Sequence, residues 1–184
     1  LIGPIINAGG RLGYSKLGVE LLTSNNPNTV KLKSLKLFDL NNKRKKIEKN
    51  ILGEIDFRKI EIQNKNIIVY YNPNINEGLI GIIAARLKEH FNKPSIVITN
   101  SNNILKASAR STFSYNIGQV VKVLRDKKII EKGGGHNMAA GFTIKKDNIK
   151  ILESFIQKDF SNKIHKSDLS FKYDLELSSS AINN

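Results

Sequence analysis

The chain has 184 residues, with 30 Lys+Arg against 16 Asp+Glu and a formal net charge of +14. A hydrophobic content of 40% is enough for a sizeable core and excludes a wholly disordered tail. The absence of cysteine excludes a disulfide scaffold and cysteine-based zinc sites, and no apolar run approaches the roughly 20 residues of a membrane span.

In chain order, Leu1–Gly13 carries Pro4 and Gly9-Gly10-Arg11 and reads as a glycine-rich loop. Lys16–Thr23 is apolar on one side and reads as a short helix. Asn25-Asn26-Pro27-Asn28 is a break and a helix start. From Thr29 to about Leu52 the pattern is a long helix: Leu37, Leu40, Ile47 and Ile51 recur at 3–4 spacing, with Arg44 completing the row. Lys43, Arg44, Lys45, Lys46 and Lys49 crowd its second half, either as a solvated face or as the wall of a nucleic-acid groove. Gly53–Asn66 reads as irregular.

The next segment alternates strands and helices. Ile67–Tyr71 is a buried strand, Glu77–Phe91 a helix and Ser95–Thr99 a second strand. Ile104–Thr112 is a third strand and Tyr115–Leu124 a helix. Gly133-Gly134-Gly135 reads as a chain break, Met138–Ile144 as a strand, and Asp147–Phe160 as a helix capped by Asp147 or Asn148. The alternation predicts an α/β unit over 66–162. Phe171–Leu177 reads as the first strand of a further domain. The chain starts on Leu1 and stops on Asn184, which reads as a segment cut at both ends.

Three places could hold phosphate. On a strand over 104–112, Lys106, Ser108, Arg110 and Thr112 share a face, because side chains alternate. Arg grips phosphate oxygens with two N–H groups, and hydroxyls donate single bonds. The plainer reading of that face is a solvent-facing strand. Gly133-Gly134-Gly135-His136 can form a nest of backbone N–H groups, and His136 could bond a phosphate or move a proton; its plainer reading is a connecting loop. Arg11, with Asn7, could reach a phosphate across a cleft, or could be a solvated residue at a helix start. The charge fits a polyanionic partner, although Lys and Asn are jointly abundant, as compositional bias alone would make them. The aspartates are scattered, His90 and His165 read as surface residues, and no metal-ligand or triad spacing occurs.

Taken together, the motifs resemble the RecJ family of single-strand-specific DNA exonucleases, of the DHH/DHHA1 phosphoesterase superfamily. Gly3-Pro4-Ile5-Ile6-Asn7-Ala8-Gly9-Gly10-Arg11-Leu12-Gly13 is similar to its Gly-Pro-Arg-Ile-Asn-Ala-x-Gly-Arg-Leu segment. Gly78–Leu87, Lys106–Ser111 and Gly133–Gly141 resemble its helix, its Lys-Gly-Ser-x-Arg-Ser strand and its Gly-Gly-His-x-x-Ala-Ala-Gly motif, in the same order.

The resemblance implies a DHHA1-type mixed sheet with flanking helices, preceded by a long linker helix and the end of a DHH domain. Residues 1–24 would end that catalytic domain, 25–65 form the helical linker, 66–162 the substrate-binding DHHA1 domain, and 163–184 the start of an OB-like domain. It also implies a cytoplasmic protein of DNA repair and recombination that hydrolyses single-stranded DNA from 5′ to 3′. Single-stranded DNA is then the partner, with no membrane involved, and no single-strand-binding protein or helicase is named by the sequence. Two Mn2+ or Mg2+ ions would be held by an upstream domain and none by this segment, so the segment alone would be inactive.

Site roles follow from the same resemblance. Ser108 and Arg110 would lie near the 5′-terminal phosphate, Arg11 would face the nucleic-acid backbone, Lys106 and Asn7 would belong to the same nucleic-acid- and phosphate-binding set, and Gly134, Gly135 and His136 would sit next to the scissile region, with His136 as the candidate catalytic group. Ile5, Asn76 and Ala107 depart from the family pattern, where Arg, His and Gly are usual. The competing expectations are a small DHH–DHHA1 phosphodiesterase acting on oligonucleotides or cyclic dinucleotides, and a non-catalytic nucleic-acid-binding DHHA1 module.

Overall fold

A computed structural model describes residues 2–163. The strand expected over Phe171–Leu177, the domain start at 163–184 and His165 lie outside the described residues, apart from Lys163, which ends the last helix.

The chain opens with helix α1 (Ile2–Arg11) and not with the expected loop. Its glycines are no obstacle because the helix is held by tertiary packing: Ala8 is fully buried, with Leu37 and Leu40 of the long helix. A side chain at Gly9 would collide with the carbonyl oxygen of Tyr14, 2.7 Å from the Cβ position, and press on Leu37. Helix α2 (Lys16–Thr23) follows, then α3 (Pro27–Glu54). The Asn26 side chain caps α3 by accepting from the N–H groups of Asn28 and Thr29, with Pro27 in the first turn. Leu37, Leu40, Arg44 and Ile51 are buried along one stripe, as their spacing predicts.

Gly53–Asn66 is not irregular either. Asp56 accepts from the N–H of Lys59 and starts α4 (Phe57–Gln63), which ends on Asn64 in the left-handed conformation at φ 44°. Both cap residues were visible in the sequence.

The sheet has the order β1-β2-β3-β5-β4, with β1 (Ile68–Tyr71), β2 (Ser95–Ser101), β3 (Ile104–Arg110), β4 (Lys132–His136) and β5 (Ala139–Ile144). β1 and β2 run parallel through the helix α5 (Ile80–Phe91), and all other neighbours are antiparallel. Gly133-Gly134-Gly135 is therefore the middle of edge strand β4 and not a break. β3 stops at Arg110, so Thr112 leaves the face on which it was expected.

Each sheet face has its own core. On one face, Ile67, Ile96, Ile98, Leu105, Ala107, Ala109, Phe142 and Ile144 pack with helices α6 (Ile117–Asp126) and α7 (Ile149–Lys163). On the other, Ile68 and Val97 pack with Leu79, Ile80, Ile83, Ala84 and Leu87 of the α5 region and with Ile51 and Ile55 of the α3 end. Glu48 joins α3 to α5: its carboxylate accepts from Arg44 Nη1 and from Arg86 Nε, each at 2.8 Å. Asn41 accepts from the two remaining Arg44 nitrogens, so each nitrogen of the buried fork has a partner.

Candidate functional site

The pairing register places the candidate residues in rows across the α5 side of the sheet. Residues paired directly across strands point to the same side. The last row is Ser95, Arg110, Ala139 and His136; the next is Val97, Ser108, Gly141 and Gly134; the third is Thr99, Lys106, Thr143 and Lys132. Lys106, Ser108, Arg110, Gly134 and His136 thus share one surface, although 26 positions separate Arg110 from His136 in the sequence. Lys132 belongs to the same surface and was missed. Its alternation with Gly134 and His136 was the available signal, hidden because the glycines read as a loop.

Helix α5 lies over β2 and β3 on this side. Gly81 is the point of closest approach: a Cβ there would stand 3.0 Å from Arg110 Nη2 and 3.2 Å from Ser108 Oγ. Beyond α5 the surface over β5 and β4 opens into a shallow cleft of about 450 Å³, lined by Glu77, Lys106, Lys132, Gly141 and Thr143 among others. The glycines of β4 divide by face. A Cβ on Gly133 would strike Phe142 and Val121, and one on Gly135 would strike Ala139 and Ala140, so both are required by the packing of α6 and β5. A Cβ on Gly134 would have no heavy atom within 4 Å. Nothing in the described chain requires Gly134 to lack a side chain, and it sits on the open face.

The positive groups are held in different ways. Lys106 pairs with Glu77, whose carboxyl falls below its ordinary range chiefly through the hydrogen bond from Lys106 and also through that from Ser101. Arg110 has no carboxylate partner among the described residues. Its Nη1 donates to Ser108 Oγ at 3.2 Å and to the Ala109 carbonyl at 2.8 Å. Burial, and then the nearby charge of Arg11, push its pKa down from the usual arginine value. Arg11, at the end of α1, donates to the Gly78 carbonyl at 3.2 Å. A Cβ on Gly78 would lie 2.2 Å from the Arg11 carbonyl oxygen, so the α1 end and the start of the α5 turn are in backbone contact. Asn76 steadies that turn by accepting from the Gly78 N–H.

Two candidates stand apart. Asn7 is exposed on α1, one turn before Arg11 and on the same helix face, with no hydrogen bond to the other candidates among the described residues. Gly135 points to the α6 side and can offer only its backbone. His136 is exposed at the strand end, beside the Asn116–Asn137 side-chain bond that ties the hairpin to α6. His90 is exposed too, its ring packed on Phe57 and Phe91. Among the described residues no group of three His, Asp or Glu side chains is placed to share a metal ion.

The described residues thus form a mixed sheet with helices on both faces and a positive, glycine-floored open end. The chain belongs to the DHHA1 domain family: residues 64–162 match the model of that domain. It is 35% identical over 158 residues to the single-stranded-DNA-specific exonuclease RecJ of Haemophilus influenzae, covering 80% of this chain and 27% of that protein. The crystal structure of RecJ in complex with Mg2+ from Thermus thermophilus superposes with a TM-score of 0.73 at 25% identity, over 88% of this chain and 25% of that one. A crystal structure of exonuclease RecJ bound to manganese gives a TM-score of 0.67 at 25% identity, over 91% and 43%. The chain spans about a quarter of the length of the first curated relatives it matches.

Proposed function

We propose that this chain is the phosphate-binding portion of a metal-dependent, RecJ-type 5′→3′ exonuclease for single-stranded DNA. The observation that carries the reading is the pair Arg110 and Arg11. Two guanidinium groups lie within electrostatic reach of each other, neither with a carboxylate partner among the described residues, at the edge of an open glycine floor. Such a pair is stabilised by an anion.

In this reading Arg110 grips the 5′-terminal phosphate with the N–H groups not engaged by Ser108 and the Ala109 carbonyl. Ser108 accepts from Arg110 and has its own hydroxyl proton free to donate. Lys106 and Lys132 add charge along the third row. Gly134 lets the sugar-phosphate chain approach the backbone, and His136 lies where it can bond or protonate a phosphate oxygen. Residues 1–24, 25–65 and 66–162 serve as the end of the DHH domain, the linker and the DHHA1 domain. In this reading the Mg2+ or Mn2+ ions are held by an upstream domain, and this polypeptide alone is expected to leave single-stranded DNA intact in Mn2+.

The test is binding of a fluorescent oligothymidylate carrying either a 5′-phosphate or a 5′-hydroxyl. The phosphorylated strand is expected to bind more tightly, with affinity falling linearly in log salt. Equal affinity for the two ends removes the assigned role of Arg110 and Ser108.

A further inference from the structure

Phe113 is 97% exposed, the most exposed large apolar side chain among the described residues. Unlike the exposed apolar residues Val19, Leu22, Leu32, Leu35 and Phe38, it lies on neither α2 nor α3. It stands between Thr112 and Ser114, on the segment that leaves β3 immediately after Arg110.

That segment is a braced arch. Ser111 is buried, its N–H donates to the Met138 carbonyl at 2.9 Å, and its hydroxyl donates to the Tyr115 carbonyl at 2.6 Å. The Tyr115 N–H closes the turn on the Thr112 carbonyl at 3.2 Å, and the Tyr115 ring is buried with its hydroxyl on Asp159 at 2.8 Å. Both feet of the arch are therefore fixed in the core, and Phe113 is its apex. An aromatic ring held in water on a fixed support is prepared for a flat partner at little ordering cost. The arch leaves the sheet at the Arg110–His136 row, and three residues of chain keep Phe113 within about 11 Å of Arg110.

We propose that Phe113 is a stacking platform for a nucleobase at the 5′ end of the single strand whose terminal phosphate sits at Ser108 and Arg110. The inference rests on the phosphate reading given above and adds a second contact of different chemistry. Base–aromatic stacking tolerates any sequence, since every base offers a π-face.

The sequence has no tryptophan, so Phe113→Trp supplies a lone fluorophore at the site. The 184-residue chain carrying that change is titrated with 5′-phosphorylated oligothymidylate and with the same strand made abasic at its first three nucleotides. Quenching of the emission is expected with the intact strand and little with the abasic one. Phe113→Ala is expected to weaken binding of the intact strand roughly tenfold while preserving the preference for a 5′-phosphate. Unchanged emission at saturation, or undiminished affinity in Phe113→Ala, overturns the stacking proposal. Quenching without any 5′-phosphate preference keeps Phe113 and discards the phosphate site. A 5′-phosphate preference without quenching does the reverse, and no binding at all discards both.

Discussion

The guanidinium of Arg110 lies close enough to that of Arg11 for the second charge to lower the pKa of the first, although the two residues belong to β3 and to the end of α1. The unfolded chain has no reason to bring these charges together. Their approach opposes folding unless an anion stands between them.

Replacing Arg110 by Met removes a half-buried, unpaired cation while keeping a flexible stem of similar volume. The expected result is a chain about 1 kcal/mol more stable that no longer distinguishes a 5′-phosphate from a 5′-hydroxyl. Thermal melts and oligonucleotide anisotropy check the two halves. A lower melting temperature would mean that Arg110 is a structural residue.

Adjacent glycines of β4 are expected to behave in opposite ways. Gly135→Ala puts a Cβ 2.4 Å from the Ala139 carbonyl oxygen and is expected to cost about 2 kcal/mol or more. Gly134→Ala meets nothing among the described residues, so its stability should stay within about 0.5 kcal/mol of the parent or rise slightly. Its single-strand affinity should fall, because the added methyl stands where the strand approaches. Denaturant curves beside binding titrations separate the two cases, and equal stability losses would contradict the facing of the strand.

Glu48 is 9% exposed and serves both Arg44 and Arg86. Glu48→Ala strands the buried Arg44 and is expected to cost about 3–5 kcal/mol, with the largest loss of hydrogen-exchange protection where α3 meets α5. Arg86→Ala removes the more exposed partner and should cost less than half of that.

The Tyr115 hydroxyl should resist ionisation well into the alkaline range. Burial, and then its hydrogen bond to Asp159, push its pKa far above the ordinary tyrosine value. A raised native pKa contributes stability that is complete below the unfolded value near 10 and is lost as pH rises beyond it. Absorbance at the phenolate band should show one hydroxyl titrating only as the chain unfolds, and Tyr115→Phe should flatten the alkaline fall in stability.

The parts of the fold legible in the sequence were those with a repeating apolar signal. Leu37, Leu40, Arg44 and Ile51 marked α3, and the alternation of Leu105, Ala107 and Ala109 marked β3 with its faces correctly assigned. The misreadings all involved glycine or short elements. Gly3, Pro4, Gly9 and Gly10 argue locally against α1, and only the seat of Ala8 and Gly9 against Leu37 explains it. Gly133–Gly135 carry no side-chain pattern, so the strand they form is visible only through its partner β5. The candidate site was legible as a set of residue types but not as a surface, because its rows depend on β5 lying between β3 and β4. Phe113, between the expected strand and the expected helix, was not singled out, since no local pattern distinguishes a ring held in water from one bound for the core.

Helix α3 has 28 residues and so runs about 42 Å. Its first half carries α1, and with it Arg11; its second half is clamped to α5 through Glu48, and thereby to the sheet that carries Arg110. A helix yields little along its axis, so it works as a caliper. The rod and the direct seat of Arg11 on the Gly78 carbonyl close a loop around the gap between the two arginines, so a roll of the rod at the Glu48 clamp would have to break that seat before the gap could change.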